Sequence, residues 1–279
     1  MVVFKKIADL QAYLHQQKTS GTDIGFIPTM GALHKGHISL LGEAKKAGCL
    51  SVCSIFVNPT QFNDKEDFEK YPTSLEADMT LLLDAGCDVL FLPPVTEMYP
   101  AGTEEASKYD LGYLDTVLEA AHRPGHFKGV AQIVAKLLDA VQPQKLYMGQ
   151  KDYQQCMVVR KMIEIDNRDV AMVICPTQRE DDGLAMSSRN RRLTDPQRAV
   201  AGIIYQCLVS ILTKKGNADF AIVRKECFDL MKHKGLEPDY VELADANDLT
   251  ILSNYNGRPM VALIAAKVGN VRLIDNMIL

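Results

Sequence analysis

The chain has 279 residues, 47% of them hydrophobic and 24% charged, with a net charge of −4 at neutral pH. That is the balance of a folded globular protein and excludes a disordered chain. No block of Lys or Arg is long enough for a nucleic-acid face or an anionic-membrane patch, and no run approaches the roughly 18 apolar residues that span a bilayer.

The first residues, MVVFKKIADLQAYL, lack the continuous apolar core and small-residue cleavage site of a secretory leader. They read as a short strand followed by an amphipathic helix with Ile7, Leu10 and Leu14 inward. From residue 22 to about 175, apolar runs at Ile24–Ile27, Leu50–Val57, Val89–Leu92, Lys145–Met148 and Val170–Ile174 alternate with helical patterns near 37–47, 74–85, 129–141 and 153–165. This alternation predicts an α/β fold with a Rossmann-like parallel sheet, and the near-continuous apolar strands predict helices on both faces. In such sheets ligands bind outside the carboxyl ends of the strands. Thr29–His37, Asn58–Phe62 and Gly149–Asp152 all follow strand ends. Gly102–Ser107 reads as a polar loop.

Beyond Pro176 a long polar loop leads to Thr194-Asp195-Pro196, a helix cap with a first-turn proline. Helices near 196–214 and 218–234, then strands at Asp239–Ala244, Val261–Ala266 and Val271–Leu273, predict a smaller C-terminal α+β domain. The expected division is therefore 1–176 and 177–279. Seven cysteines, at 49, 53, 87, 156, 175, 207 and 227, form no CxxC pair, which predicts reduced, buried thiols in a cytoplasm.

The densest chemistry lies in PTMGALHKGH, Pro28 to His37. A helix starting near His34 or Lys35 aims backbone N–H groups and its positive dipole end at the turn, and Gly31 and Gly36 allow close approach of an anion. His34 and His37, three apart, face the same way. An HxxH pair taken singly is more often structural. Helical zinc pairs want a four-residue spacing with Glu between, whereas here the spacing is three with Lys35 and Gly36 between. The phosphate chain of ATP fits better. Lys151 in GQKD supplies a compact cation and Asp152 an acceptor, with an ordinary surface loop as the alternative. MSSRN at 186–190 sets two hydroxyls beside a guanidinium, a donor set matched to phosphate oxygens, or else a solvated basic loop running through Arg191 and Arg192.

The Pro28–His37 turn resembles the HIGH-type signature of the nucleotidyltransferase superfamily. SIFVNPTQF (Ser54–Phe62), YPTSLEAD (Tyr71–Asp78), RPGHFKGV (Arg123–Val130), GQKDYQQ (Gly149–Gln155), DGLAMSSRN (Asp182–Asn190) and RLIDN (Arg272–Asn276) narrow the likeness. In that order, across essentially the whole chain, they resemble the pantothenate synthetase (pantoate–β-alanine ligase) family. The resemblance implies ATP-dependent condensation of (R)-pantoate with β-alanine through an enzyme-bound pantoyl adenylate, releasing AMP and pyrophosphate. A carboxylate is a poor electrophile, and adenylation supplies its leaving group. The rivals are a nucleotidyltransferase acting on another small acid or phosphate acceptor and an inactive nucleotide-binding module.

On this resemblance His37 is catalytic at the phosphates. ATP contacts are implied for Met30, Gly31, Ala32, Leu33, His34, Lys35, Gly36 and His37, for Gly149, Gln150, Lys151 and Asp152, and for Gln178, Met186, Ser187, Ser188 and Arg189. Gln150 stands where many relatives carry Glu, and Gln178 where many carry an aliphatic residue, so its backbone is the expected contact. Gln61 and Gln155 are the implied pantoate ligands, Gln61 also touching β-alanine. Met30, Phe56 and Phe62 would wall the pocket, and Asn58, Arg123 and His126 are second-rank candidates. Mg2+ would accompany ATP, held mainly by phosphate oxygens and water, with Asp78 the one carboxylate suspected of assisting. The Gly-containing, Ser-rich and Arg-bearing 182–190 segment at the domain boundary is expected to close over ATP with the smaller domain, and the family likeness implies a homodimer through the larger one. No nucleic-acid or membrane partner is expected.

Overall fold

The computed structural model describes residues 1–62, 74–103 and 107–279. Tyr71–Thr73 of the YPTSLEAD segment and residues 104–106 of the expected polar loop lie outside the described residues. The chain forms two compact units, one of residues 1–149 and 158–175, the other of 150–157 and 176–279. The segment carrying Lys151 and Gln155 thus groups with the C-terminal unit.

The first unit is built on six parallel strands: β1 (Val2–Phe4), β2 (Ile24–Thr29), β3 (Leu50–Ile55), β4 (Val89–Phe91), β5 (Lys145–Gly149) and β6 (Ala171–Cys175). Their order is β1-β4-β3-β2-β5-β6. Both sides of the central strands are buried, as the apolar runs require when helices cover both faces. On one face Ile27, Cys53, Leu90 and Tyr147 pack with Leu40, Leu41 and Ala44 of helix Lys35–Lys46 and Leu82 of helix Leu75–Asp84. Phe26, Val52, Val89 and Leu146 alternate onto the other face, where helix His126–Val141 packs on β2 and on helix Ile7–Thr19. Leu10 and Leu14 of that last helix are buried and Ile7 is half-buried.

The strand order reverses between β2 and β5, a topological switch point at which open α/β sheets bind ligands. The β2–β5 ladder covers only Gly25–Lys145 and Phe26–Leu146 and stops before Pro28, which has no N–H to continue it. The carboxyl ends of these strands carry the histidine turn and the start of the GQKD turn.

The second unit is an antiparallel sheet in the order β10-β9-β7-β8, from β7 (Glu237–Asp245), β8 (Ile251–Leu252), β9 (Met260–Val268) and β10 (Val271–Ile278). Ile204, Cys207, Leu208 and Ile211 of helix Ile203–Lys214 and Phe220, Val223, Cys227 and Met231 of helix Phe220–His233 form its core with Val241, Leu243, Ala262 and Ile264. The expected helix near 196–214 is two, Asp195–Ala201 and Ile203–Lys214, parted at Gly202. Thr194 caps the first, and its N–H donates to Gln197 Oε1 at 3.0 Å.

Candidate active site

The turn after β2 is held from both sides. Thr29 Oγ1 donates to the Ser54 carbonyl at 2.7 Å and accepts from Gly31 N–H at 3.2 Å, fixing the strand exit. Gly31 has φ +81°, and a Cβ there would lie 3.0 Å from Asp78 Oδ2, so both backbone and space demand glycine. Asp78 is 1% exposed; its Oδ2 accepts from Ala32 N–H and its Oδ1 from Leu33 N–H, each at 2.8 Å. Ser74 Oγ adds a third bond to Oδ1 at 3.1 Å.

Each Asp78 oxygen thus holds a buried backbone amide, and the carboxylate pins the turn. Ala32 and Leu33 have buried side chains, and their amides donate to Asp78. Asp78→Asn turns one of those amides against an NH2 group, and the expected destabilisation is about 1–3 kcal/mol. Urea unfolding with an unchanged slope reads this directly; an unmoved midpoint would mean that the carboxylate does not hold the turn.

The histidines cap the helix that follows. His34 is the N-cap, its Nδ1 accepting from Gly36 N–H at 3.1 Å, while His37 Nδ1 accepts from His34 N–H at 3.3 Å. The rings lie 4.1 Å apart, tilted by 45°. An accepting ring nitrogen carries no proton, so each neutral ring holds its proton on Nε2. The turn therefore carries imidazole N–H groups in a fixed tautomer beside the helix terminus.

Gln61, 6% exposed, ends the short 3₁₀ turn Pro59–Gln61 beyond β3. Asn58 Nδ2 donates to its Oε1 at 3.3 Å and to the Gly129 carbonyl at 3.2 Å. Asn58 Oδ1 accepts from Tyr99 OH at 2.8 Å and Thr60 Oγ1 at 3.1 Å. The Gln61 carbonyl lies 2.8 Å from His126 Nδ1; a carbonyl only accepts, so Nδ1 carries the proton and Nε2 accepts from Arg123 at 3.2 Å. Asn58, His126 and Arg123 thus position Gln61. Gly129 is required, since a Cβ there would sit 2.6 Å from the Thr60 carbonyl. Gln61 Nε2 donates to Met30 Sδ at 2.7 Å, a weak acceptor that a substrate oxygen could outbid. Phe56 is buried and Phe62 half-buried nearby in sequence.

In the second unit, Gln150–Asp152 forms a 3₁₀ turn before helix Tyr153–Ile165, whose first turn holds half-buried Gln155. Lys151 Nζ lies 3.5 Å from Asp152 Oδ1. Asn276 of β10, 2% exposed, donates through Nδ2 to the Gln150 and Lys151 carbonyls at 2.9 and 2.8 Å and accepts from Gln150 Nε2 at 3.2 Å. The neighbouring Asp275 receives Arg179 in a fork, at 2.6 and 3.1 Å. Burial pushes the Asp275 carboxyl up, and the Arg179 guanidinium pulls it back.

Arg179 also stacks on Tyr205, 4.4 Å from the ring centroid. Exposed Gln178 receives Met186 N–H on its carbonyl at 2.9 Å, closing the loop onto itself. Ser187 caps the 3₁₀ turn Ser188–Arg192 through Arg189 N–H at 3.2 Å, leaving its own O–H as a donor. Met186, Ser187, Ser188 and Arg189 are half-buried. Asp182 is held down by Arg198, which binds it in a fork.

Sequence reasoning misses the roles of Asp78, Tyr99, Arg179, Asp275 and Asn276, although Asp78 closes the YPTSLEAD motif and Asp275-Asn276 the RLIDN motif. A buried acid or amide inside an apolar element is the signal that could have found them.

A family model for pantoate–β-alanine ligase matches residues 2–278. The pantothenate synthetase of Cytophaga hutchinsonii is 45% identical over 284 residues, covering 100% of this chain and 99% of its own. That of Acetivibrio thermocellus is 45% identical over 281 residues, covering 100% and 99%. The crystal structure of pantothenate synthetase from Thermus thermophilus superimposes with a TM-score of 0.92 at 39% identity, covering 99% of each chain. A pantoate–β-alanine ligase from Francisella tularensis, crystallised with beta-gamma ATP and beta-alanine, gives 0.82 at 34% identity over 99% of this chain and 97% of that one. With one family model spanning the chain from end to end, and full-length relatives agreeing in sequence and in fold, the chain belongs to the pantoate–β-alanine ligase family.

Proposed function

We propose that the capped histidine turn and the Lys151 turn serve one reaction, the adenylation of pantoate that precedes its capture by β-alanine. The enzyme is an AMP-forming ligase that joins pantoate to β-alanine with ATP. The observation that carries the residue-level reading is the reciprocal cap of His34 and His37, which fixes two Nε2–H donors at the switch point of the sheet. Charge building on the phosphates during transfer needs such preorganised donors.

His37 is assigned the catalytic contact. His34, Lys35 and Gly36 line the phosphates beside it, with Met30, Gly31, Ala32 and Leu33 at the turn's entry. Lys151 is a second cation for the phosphates and Asp152 a ribose acceptor, with Gly149 and Gln150 alongside. Gln178, Met186, Ser187, Ser188 and Arg189 contact the nucleotide. Gln61 and Gln155 bind pantoate, and Gln61 also meets β-alanine. Mg2+ enters with ATP on phosphate oxygens and water.

The protein works as a homodimer in the cytoplasm. Its seven cysteines are all unpaired and buried, which fits a reducing compartment, and among the described residues no helix is long and apolar enough to cross a membrane. Product analysis with ATP and pantoate tests the reading. Free AMP and pantothenate should accumulate only when β-alanine is added; a stable nucleotide-bearing product in its presence would make the protein a nucleotidyltransferase of another kind.

A further inference from the structure

Asn276 is buried on β10, 125 residues beyond Lys151 in the chain, yet every polar atom of its side-chain amide is committed to the lysine turn. Both N–H bonds of Nδ2 reach main-chain carbonyls, of Gln150 at 2.9 Å and Lys151 at 2.8 Å, and Oδ1 accepts from Gln150 Nε2 at 3.2 Å. One planar amide thus fixes two successive carbonyls, which sets the direction in which the Lys151 side chain leaves the backbone.

Asn276 is itself held on its main chain. Its N–H donates to Asp275 Oδ1 at 2.8 Å, and its carbonyl receives Arg179 at 3.3 Å. Arg179 in turn forks onto Asp275 and donates to the Gly183 carbonyl at 3.0 Å, at the entrance to the 186–190 segment. A leucine would fill this site more cheaply if packing were all that was needed, because burying a fully hydrogen-bonded polar network gains little net stability. What such a network supplies is one defined geometry.

We propose that Asn276 is a positioning residue for the adenylation step, acting through Lys151, with Asp275 and Arg179 as its support. The inference rests on the ATP role assigned to Lys151 above. A displacement of about 1 Å in a charge-stabilising group costs up to a hundredfold in rate. Asn276→Ala removes all three side-chain bonds, and Asn276→Ser restores one short donor.

The test uses the full-length enzyme and two readouts. One is pantoate-dependent exchange of pyrophosphate into ATP; the other is release of AMP when β-alanine meets pantoyl adenylate supplied from outside. Asn276→Ala should slow exchange by about tenfold to a hundredfold, Asn276→Ser should recover part of that loss, and the β-alanine step should change little in either. In a Lys151→Ala background the further loss from Asn276→Ala should be under about twofold, because the group it positions is gone.

Equal loss in both half-reactions, full additivity with Lys151→Ala, or failure of both variants to fold makes Asn276 a structural residue only and overturns the proposal. Lys151→Ala exchanging at the wild-type rate overturns the ATP role of Lys151 itself, and the inference with it.

Discussion

His37→Ala and Lys151→Ala should each lower the rate of pantoate adenylation by about two to three powers of ten, the scale for removing one preorganised donor at developing charge. The structure says why these two side chains are preorganised. His37 gives its Nδ1 to the His34 N–H, so its proton is confined to Nε2 and its ring cannot rotate without breaking the helix cap. Lys151 leaves a turn whose carbonyls are pinned by Asn276. Loss of the His37 cap costs about 1 kcal/mol of helix stability, small against the roughly 5–15 kcal/mol of a domain, so the variant folds. Single-turnover adenylation with saturating ATP and pantoate measures the effect. Near-normal rates in both variants would move the phosphate site elsewhere.

Removing a hydroxyl from pantoate should be penalised far more than removing one of its methyls. A site built to hydrogen-bond a hydroxyl discriminates by roughly four orders of magnitude, whereas a missing methyl against an apolar wall costs about 1–3 kcal/mol. Gln61 is suited to reading a hydroxyl, because its Oε1 is fixed by Asn58, its carbonyl by His126, and its Nε2 faces the weakly accepting Met30 thioether. Once pantoate is bound, an analogue without the hydroxyl leaves that buried amide poorly paired. In Gln61→Ala and Gln155→Ala the gap between the deoxy and demethylated analogues should shrink, with ATP affinity in the absence of pantoate unchanged. If ATP and pantoate binding fell together, the glutamines would be holding the fold and not the substrate.

Much of the scaffold was legible because it depends on local pattern. Strands buried on both faces write themselves as apolar runs, and the order of runs and helices fixes a parallel sheet with its chemistry at the strand ends. The misplacements have specific causes. Helix His126–Val141 begins three residues before the expected 129, because Gly129 looks like a boundary while in fact it is interior and lets the helix approach the Thr60 carbonyl. The strand expected to end at Leu273 runs to Ile278. Asp275 and Asn276 are polar, and their burial in the strand is matched by Arg179 and residues 150–151, distant in the chain. β8 is two residues long and has no pattern of its own.

The same distinction runs through the site. The two histidines, the lysine turn and the SSRN segment stand out in the sequence as candidates because each is a local cluster of unusual chemistry. Groups that hold the candidate segments from afar do not stand out: Asp78 lies 46 residues from Ala32, and Tyr99 lies 41 from Asn58. The carboxylate that closes YPTSLEAD shows its hold on two backbone amides only in the fold.

The central claim is that this chain activates pantoate as an acyl adenylate before the amine enters. Pyrophosphate exchange into ATP, measured without β-alanine, tests it most directly. Exchange should require pantoate, should collapse in His37→Ala, and should leave adenylate on the enzyme. Exchange that proceeds equally without pantoate, or that appears only once β-alanine is present, would contradict it.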